Sequence, residues 1–157
     1  MTQTTVVDLM TTKLKIIEEV ASVRQASNKM KEEDVSSLVV VDKDNNNKTI
    51  GLVTERDIVR KVCANENTDN IDAIRVGDIV SSPLITINSD SSLKQAANVF
   101  LQHKIRHLLV IDNRNGIGKP VGIITPMDFT RYREQRRNIR HTEEDDVIAE
   151  IIKYYRD

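Results

Sequence analysis

The chain has 157 residues, 39% of them hydrophobic and 3% aromatic, with no Trp and a net charge of −1. That size fits one domain or two small ones with an aliphatic core, and the near-zero charge argues against a nucleic-acid or membrane partner. The single Cys63 excludes an internal disulfide, and the sequence holds no Cys cluster of metal-binding spacing. The chain opens without a charged-then-apolar leader and its apolar runs are short, so a cytoplasmic location is expected.

In chain order, Val6-Val7-Asp8-Leu9-Met10 leads in and Leu14–Ile17 is a short predicted strand. Ser22 opens a helix on which Val23, Ala26 and Met30 share one face. Residues 37–42 form a continuous apolar run, the pattern of a strand buried on both faces. Lys43–Lys48, rich in Asn and Asp, is a turn. A third strand, Thr49–Val53, runs into a closing helix over Glu55–Ala64, and polar Asn65–Ile74 looks like a linker.

The plan then repeats. An offset of 70 pairs Val6 with Val76, Asp8 with Asp78, Ala26 with Ala96, Leu38 with Leu108 and Asp42 with Asp112. One inserted residue moves the offset to 71, pairing Gly51 with Gly122, Thr54 with Thr125 and Asp57 with Asp128. Ordered self-similarity of this kind means two homologous halves, about 6–63 and 76–133. The second half predicts a strand at Leu84–Ile87, a helix opened by Ser91, a strand at His107–Asp112, a turn at Asn113–Lys119, a strand at Pro120–Ile124 and a helix from Pro126 to Arg133 or beyond. As domains the expectation is a first repeat over 1–70, a second over 71–134 and a charged tail with a helix over 135–157. Halves this small are expected to share one core.

The sharpest repeated stretch is Gly-x-x-Thr-x-x-Asp, at Gly51–Asp57 and Gly122–Asp128. Thr54 and Thr125 suit a helix N-cap, where a side-chain oxygen accepts a free backbone N–H. Asp57 and Asp128 fall three residues later, at the positive helix end. Pro126 fits the first helical position. Hydroxyl, carboxylate and N–H groups at one helix mouth suit a ribose and its phosphates; the same residues also make a capping box that needs no ligand.

In the tail, Arg131–His141 carries five arginines and Glu143–Asp146 is a run of four acids. Thr142 with Asp145 marks a helix start, followed by an apolar face of Val147, Ile148, Ile151, Ile152 and Tyr155. That helix is expected to fold on its own module, pair across a dimer or dock on a partner. His103, His107 and His141 lack metal-ligand spacing, and the sequence presents no catalytic constellation, so no enzymatic activity is expected.

These ordered, duplicated elements resemble tandem CBS (cystathionine β-synthase) domains, the pair forming a Bateman module. The match rests on Asp8-Leu9-Met10-Thr11, the Ser22–Met30 helix, Leu38–Asp42 and Gly51…Thr54…Asp57, with Ser92-Leu93…Ala96, Leu108–Asp112 and Gly122…Thr125…Asp128 in the second half. The resemblance implies an α+β fold: two β-α-β-β-α repeats, related by a pseudo-twofold axis and packed as one module with two clefts. It implies a regulatory role, a homodimer, and binding of AMP, ADP or ATP as ligand rather than cofactor, with S-adenosylmethionine or methylthioadenosine, or a ligand-free scaffold, as alternatives. A regulated partner protein is also implied.

By the same resemblance Asp57 and Asp128 hold ribose hydroxyls, with Thr54 and Thr125 near phosphate. Ile16 and Thr86, on the first strands, meet adenine; Met127, at the helix start, is a candidate to cover it, or else ordinary packing. In nucleotide-sensing relatives a basic pair just before the central strand contacts phosphate; Arg106 and His107 occupy that place, in reversed order. Arg56 is a further candidate cation. The lead-ins differ, Ile79-Val80-Ser81 against Leu9-Met10-Thr11, a departure expected to lie outside the turn.

Overall fold

The computed structural model describes residues 3–81, 84–114 and 118–156. Helix α1 (Val6–Leu9), strand β1 (Ile16–Glu18), helix α2 (Val23–Glu33) and strands β2 (Ser37–Asp42) and β3 (Lys48–Thr54) come first. One turn of helix, α3 (Glu55–Asp57), continues as wider π-helical turns over Ile58–Cys63. The second series is α4 (Val76–Ile79), β4 (Thr86–Asn88), α5 (Leu93–His103), β5 (Leu108–Asp112), β6 (Lys119–Ile124) and α6 (Pro126–Gln135), and α7 (Glu143–Arg156) closes the chain. Each series yields a mixed three-stranded sheet, β1-β2-β3 and β4-β5-β6, with the first pair parallel and the second antiparallel. The α+β class follows.

The elements form for local reasons. Helices α2 and α5 start in reciprocal boxes: the Ser22 and Ser92 hydroxyls each accept an N–H, from Gln25 and Gln95, at 3.1 Å. The two glutamines return the bond to the serine N–H at 2.8 Å. The cap is therefore Ser92, not Ser91, because only Ser92 has Gln three residues on. Both helices end in a left-handed residue, Asp34 and Lys104. Strand β2 buries Ser37 through Val41, so residues on both of its faces leave water, as the apolar run predicts. Strand β5 starts at Leu108 rather than His107. In the first series the Glu55 N–H ties down the Ser36 carbonyl at 3.0 Å; Pro126, the counterpart of Glu55, has no N–H to give. The π-helical turns carry three β-branched residues, Ile58, Val59 and Val62, poor formers of regular α-helix. The turn prediction at Asn113–Lys119 includes 115–117, which lie outside the described residues.

The compact units do not follow the sequence halves. One unit is 14–85; the other joins 1–13 to 86–157. Each lead-in packs with the other repeat's sheet. In α1, Val6 and Val7 donate their N–H groups to the carbonyls of Ser91 and Ser89, both at 2.9 Å. In α4, Val76 and Gly77 donate to Ala21 and Glu19 at 2.8 and 2.9 Å. Beyond α1 the chain pairs with β6: Thr11 and Ile123 exchange both backbone bonds at 2.9 Å. Ser81 donates to Leu52 of β3 at 3.2 Å. The segment expected as a linker is also packed: Ile71 and Ile74 rest on the core of unit 14–85, and the Val23 N–H donates to the Ile74 carbonyl at 2.9 Å.

Helix α7 folds onto its own unit. Ile148 and Ile151 are fully buried, as are Phe100 and Phe129 on α5 and α6, the helices it packs against. Thr142 starts it as predicted, giving its N–H and hydroxyl to the Asp145 carboxylate at 2.6 and 2.9 Å.

The lead-ins explain the glycines of the repeated turn. A Cβ on Gly122 would sit 2.9 Å from both the Thr11 carbonyl oxygen and Met10 Cγ; on Gly51 it would sit 3.1 Å from the Ser81 carbonyl. Gly122→Val should therefore cost about 1–3 kcal/mol, the range for overpacking, read as a lower urea midpoint. A wild-type midpoint would show that the lead-in does not press on β6.

Candidate functional site

The two turns are built alike but finished differently. The Asp57 carboxylate accepts the Thr54 N–H and the Thr54 hydroxyl on Oδ2, each at 3.0 Å. The same hydroxyl oxygen accepts the Asp57 N–H at 3.1 Å, the cap expected from sequence. The other oxygen, Oδ1, takes Lys61 Nζ at 3.0 Å and the Ser81 hydroxyl at 3.2 Å. Lys61 is fixed in turn by donating to the Ile79 carbonyl at 2.8 Å. Ser81 lies in the lead-in, so the departure expected to stay outside the turn reaches into it: the close approach at Gly51 brings the hydroxyl to the carboxylate.

Asp128 is less occupied. Its Oδ2 accepts the Thr125 N–H at 2.7 Å and the Thr125 hydroxyl at 3.2 Å. Here the Asp128 N–H bonds the Thr125 carbonyl, at 3.0 Å, so the threonine hydroxyl serves as a donor to the carboxylate. Among the described residues the nearest cation to Oδ1 is Arg131 Nη1 at 3.5 Å, beyond hydrogen-bond length, on a side chain 67% exposed. A carboxylate has about four lone-pair sites. Thr54, Lys61 and Ser81 account for those of Asp57, whereas Oδ1 of Asp128 keeps acceptor capacity in a residue only 7% exposed. Burial pushes the Asp128 carboxyl above its ordinary value, against the bonds from Thr125 and the charge of Arg131. With Met10, Thr11 and Tyr132, Asp128 lines a hollow of about 270 Å³. Whole-ligand pockets run ~300–1,000 Å³, so this one admits a sugar-sized group.

The other predicted residues divide by unit. Ile16, Thr54, Arg56 and Asp57 belong to unit 14–85; Thr86, Arg106, His107, Thr125, Met127 and Asp128 belong to the other. Ile16 is an exposed strand residue and Arg56 is exposed on α3, while Thr86 opens β4 half-buried. Met127 is 56% exposed beside Asp128. The pairing Leu108 with Ile124, carried one residue further, sets His107 opposite Thr125, just as Ser37 pairs with Thr54. Arg106 is exposed at the bend before β5, its guanidinium carbon 5.9 Å from the centre of the Tyr155 ring. The Tyr155 hydroxyl reaches the Phe100 carbonyl at 2.9 Å and also the Ile105 carbonyl. Burial, then the neighbouring Tyr154, raise the Tyr155 phenol above its ordinary value, so it keeps its proton at neutral pH.

Sequence reasoning missed Lys61, Ser81 and Tyr155. Lys61 had a signal, an acid-to-Lys spacing of four on one helix. Ser81 had another, standing at offset 70 from Thr11 with a hydroxyl in both. Tyr155 appears in sequence only as part of an apolar face.

The CBS domain family model matches residues 6–64 and 76–135, one match per repeat. The chain belongs to the CBS domain family. Among curated relatives, an uncharacterized protein of Methanopyrus kandleri is 35% identical over 64% of this chain and 48% of its own length. An uncharacterized 17.7 kDa protein of Acidianus ambivalens is 30% identical over 82% of this chain and 72% of its own. The alignments thus span from about half to under three-quarters of these relatives. An uncharacterized conserved protein from Pyrococcus horikoshii has a solved structure matching at TM-score 0.74 and 32% identity, covering 89% of this chain and 98% of that one. A CBS domain protein from Pyrobaculum aerophilum complexed with AMP matches at TM-score 0.68 and 26% identity, over 80% and 90%. This CBS domain pair has no helix among its described residues long and apolar enough to cross a membrane. Nor do those residues hold a group of three or more metal-ligating side chains.

The raised Asp128 carboxyl has a pH consequence. Its folded form holds the proton more tightly than the unfolded chain, so between the ordinary value of 3.8 and the raised one the folded state binds more protons. The contribution of Asp128 to stability therefore falls as pH rises through that window. Asp128→Asn, which keeps an acceptor oxygen for Thr125, should gain stability relative to wild type on going from acid to neutral pH. Urea unfolding at both ends checks this; a difference independent of pH would sink it.

Proposed function

We propose that this CBS domain pair is a regulatory module that binds an adenosine phosphate, AMP, ADP or ATP, and performs no catalysis. The observation that carries the proposal is the open Oδ1 of Asp128, a buried charged acceptor at the edge of a sugar-sized hollow. A ribose diol supplies two hydroxyl donors to such an acceptor, and a bond to a charged group is stronger than one between neutral groups. The AMP complex of the Pyrobaculum relative supports the choice of ligand.

In this proposal the ribose sits on Asp128, the phosphates meet Arg106, His107 and Thr125, and Met127 and Thr86 border the base. Arg106 is suited because an arginine offers forked donors to phosphate oxygens. S-adenosylmethionine lacks phosphate and offers that cation a single carboxylate instead. The first turn, with Ile16, Thr54 and Arg56 as its other candidates, is the weaker site, because Asp57 is already satisfied by Lys61 and Ser81. Ligand binding favours whichever shape of the module holds it best, a shift in population that a partner protein can sense.

A thermal-shift series with AMP, ADP, ATP and S-adenosylmethionine tests the ligand class, since binding raises the melting temperature by mass action. By calorimetry, Asp128→Ala should lose about 1.5–3 kcal/mol of binding, roughly ten- to a hundredfold in affinity. Asp57→Ala should cost less affinity and more stability, because it strands Lys61 and Ser81. If Asp128→Ala folds and binds nucleotide like wild type, Asp128 is only a helix cap and does not hold the ribose; a wild-type chain that none of the four compounds stabilises is a ligand-free scaffold.

A further inference from the structure

The two repeats close the end of their first long helix differently. In the first, the Met30 carbonyl accepts the backbone N–H of Asp34 and, at 3.0 Å, that of Val35. In the second, the equivalent carbonyl, Phe100, accepts the hydroxyl of Tyr155 at 2.9 Å. That hydroxyl also reaches the carbonyl of Ile105, the residue before Arg106. The Tyr155 ring packs edge-on against Phe100 at 6.2 Å and lies 5.9 Å from the Arg106 guanidinium. One side chain of α7 therefore holds both the turn that carries Arg106 and Arg106 itself. The turn needs holding: Lys104 is left-handed at φ 53°, a conformation disfavoured for a residue with a Cβ.

We infer that Tyr155 is a positioning residue for phosphate recognition, fixing Arg106 through the Ile105 carbonyl and the face of its own ring. The inference rests on the adenosine-phosphate proposal above. A guanidinium drawn to a ring by charge keeps its N–H donors for in-plane bonds to phosphate oxygens. Pre-ordering a long, exposed arginine removes part of the entropy cost of binding. The first repeat has Ser36 at the position of Arg106, so the helix adds a phosphate-ordering device to one repeat alone.

The test is calorimetric titration of the full chain with adenosine, AMP and ATP. It compares wild type, Tyr155→Phe, Tyr155→Leu, Arg106→Ala and the double variant Tyr155→Leu with Arg106→Ala. Tyr155→Leu should weaken ATP about tenfold and Tyr155→Phe about threefold, with adenosine unchanged. In the Arg106→Ala background Tyr155→Leu should add nothing, because the two act as one unit. If Tyr155→Leu fails to fold, Tyr155→Phe, which keeps the ring, decides. A fall in adenosine affinity matching that for ATP, tighter ATP binding, or no change in the Tyr155 variants overturns this inference and leaves the ligand proposal standing. A wild-type chain that binds none of the three compounds overturns both.

Discussion

The backbone approach at Gly51 and Gly122 is the constraint on which the rest of this structure depends. At both places an extended lead-in lies where a Cβ would be, against β3 in one unit and β6 in the other. A side chain there would push the lead-in off the sheet edge. Without that approach the Ser81 hydroxyl would not reach Asp57, and Met10 and Thr11 would not wall the hollow beside Asp128. The glycine of the repeated turn acts through a neighbouring strand three and six residues ahead of the threonine and aspartate it accompanies.

From that approach follows the inequality of the two turns. Both carboxylates fold back on the threonine of their own turn, which satisfies the helix start and leaves one oxygen for other work. In unit 14–85 that oxygen is taken by Lys61 and Ser81, one from the helix and one from the lead-in. In the other unit the residue four beyond Asp128 is Tyr132, whose phenol meets Thr4 at 3.0 Å instead of the carboxylate. A duplicated motif has thus diverged without changing any motif residue, because the partners that decide its chemistry lie outside it.

Helix α7 carries the asymmetry further. The first repeat closes the end of α2 with its own backbone, and the second uses a tyrosine from the tail. The acids of its first turn and the arginines before it meet at Arg136 and Glu144, 3.5 Å apart. Such a partly exposed pair adds little stability. The stability of the docked helix comes from Ile148 and Ile151, both fully buried.

The sequence by itself determined the duplication, the order of strands and helices, the buried strands and the two capped turns. Each is written in local chemistry: a period of apolar residues, a Ser-x-x-Gln box, a Gly-x-x-Thr-x-x-Asp spacing. It also marked Asp57 and Asp128 as special, since a carboxylate at a helix mouth is a local event. Only the tertiary structure decided that each lead-in belongs with the other repeat's sheet. The backbone bonds that settle this, such as Thr11 with Ile123 and Val6 with Ser91, join residues far apart in the chain and involve no distinctive side chain. It alone decided that Asp57 is occupied and Asp128 open, and that Tyr155 stands beside Arg106. Those depend on which side chains meet across elements, and a helical apolar stripe records that a face is buried but not what it is buried against.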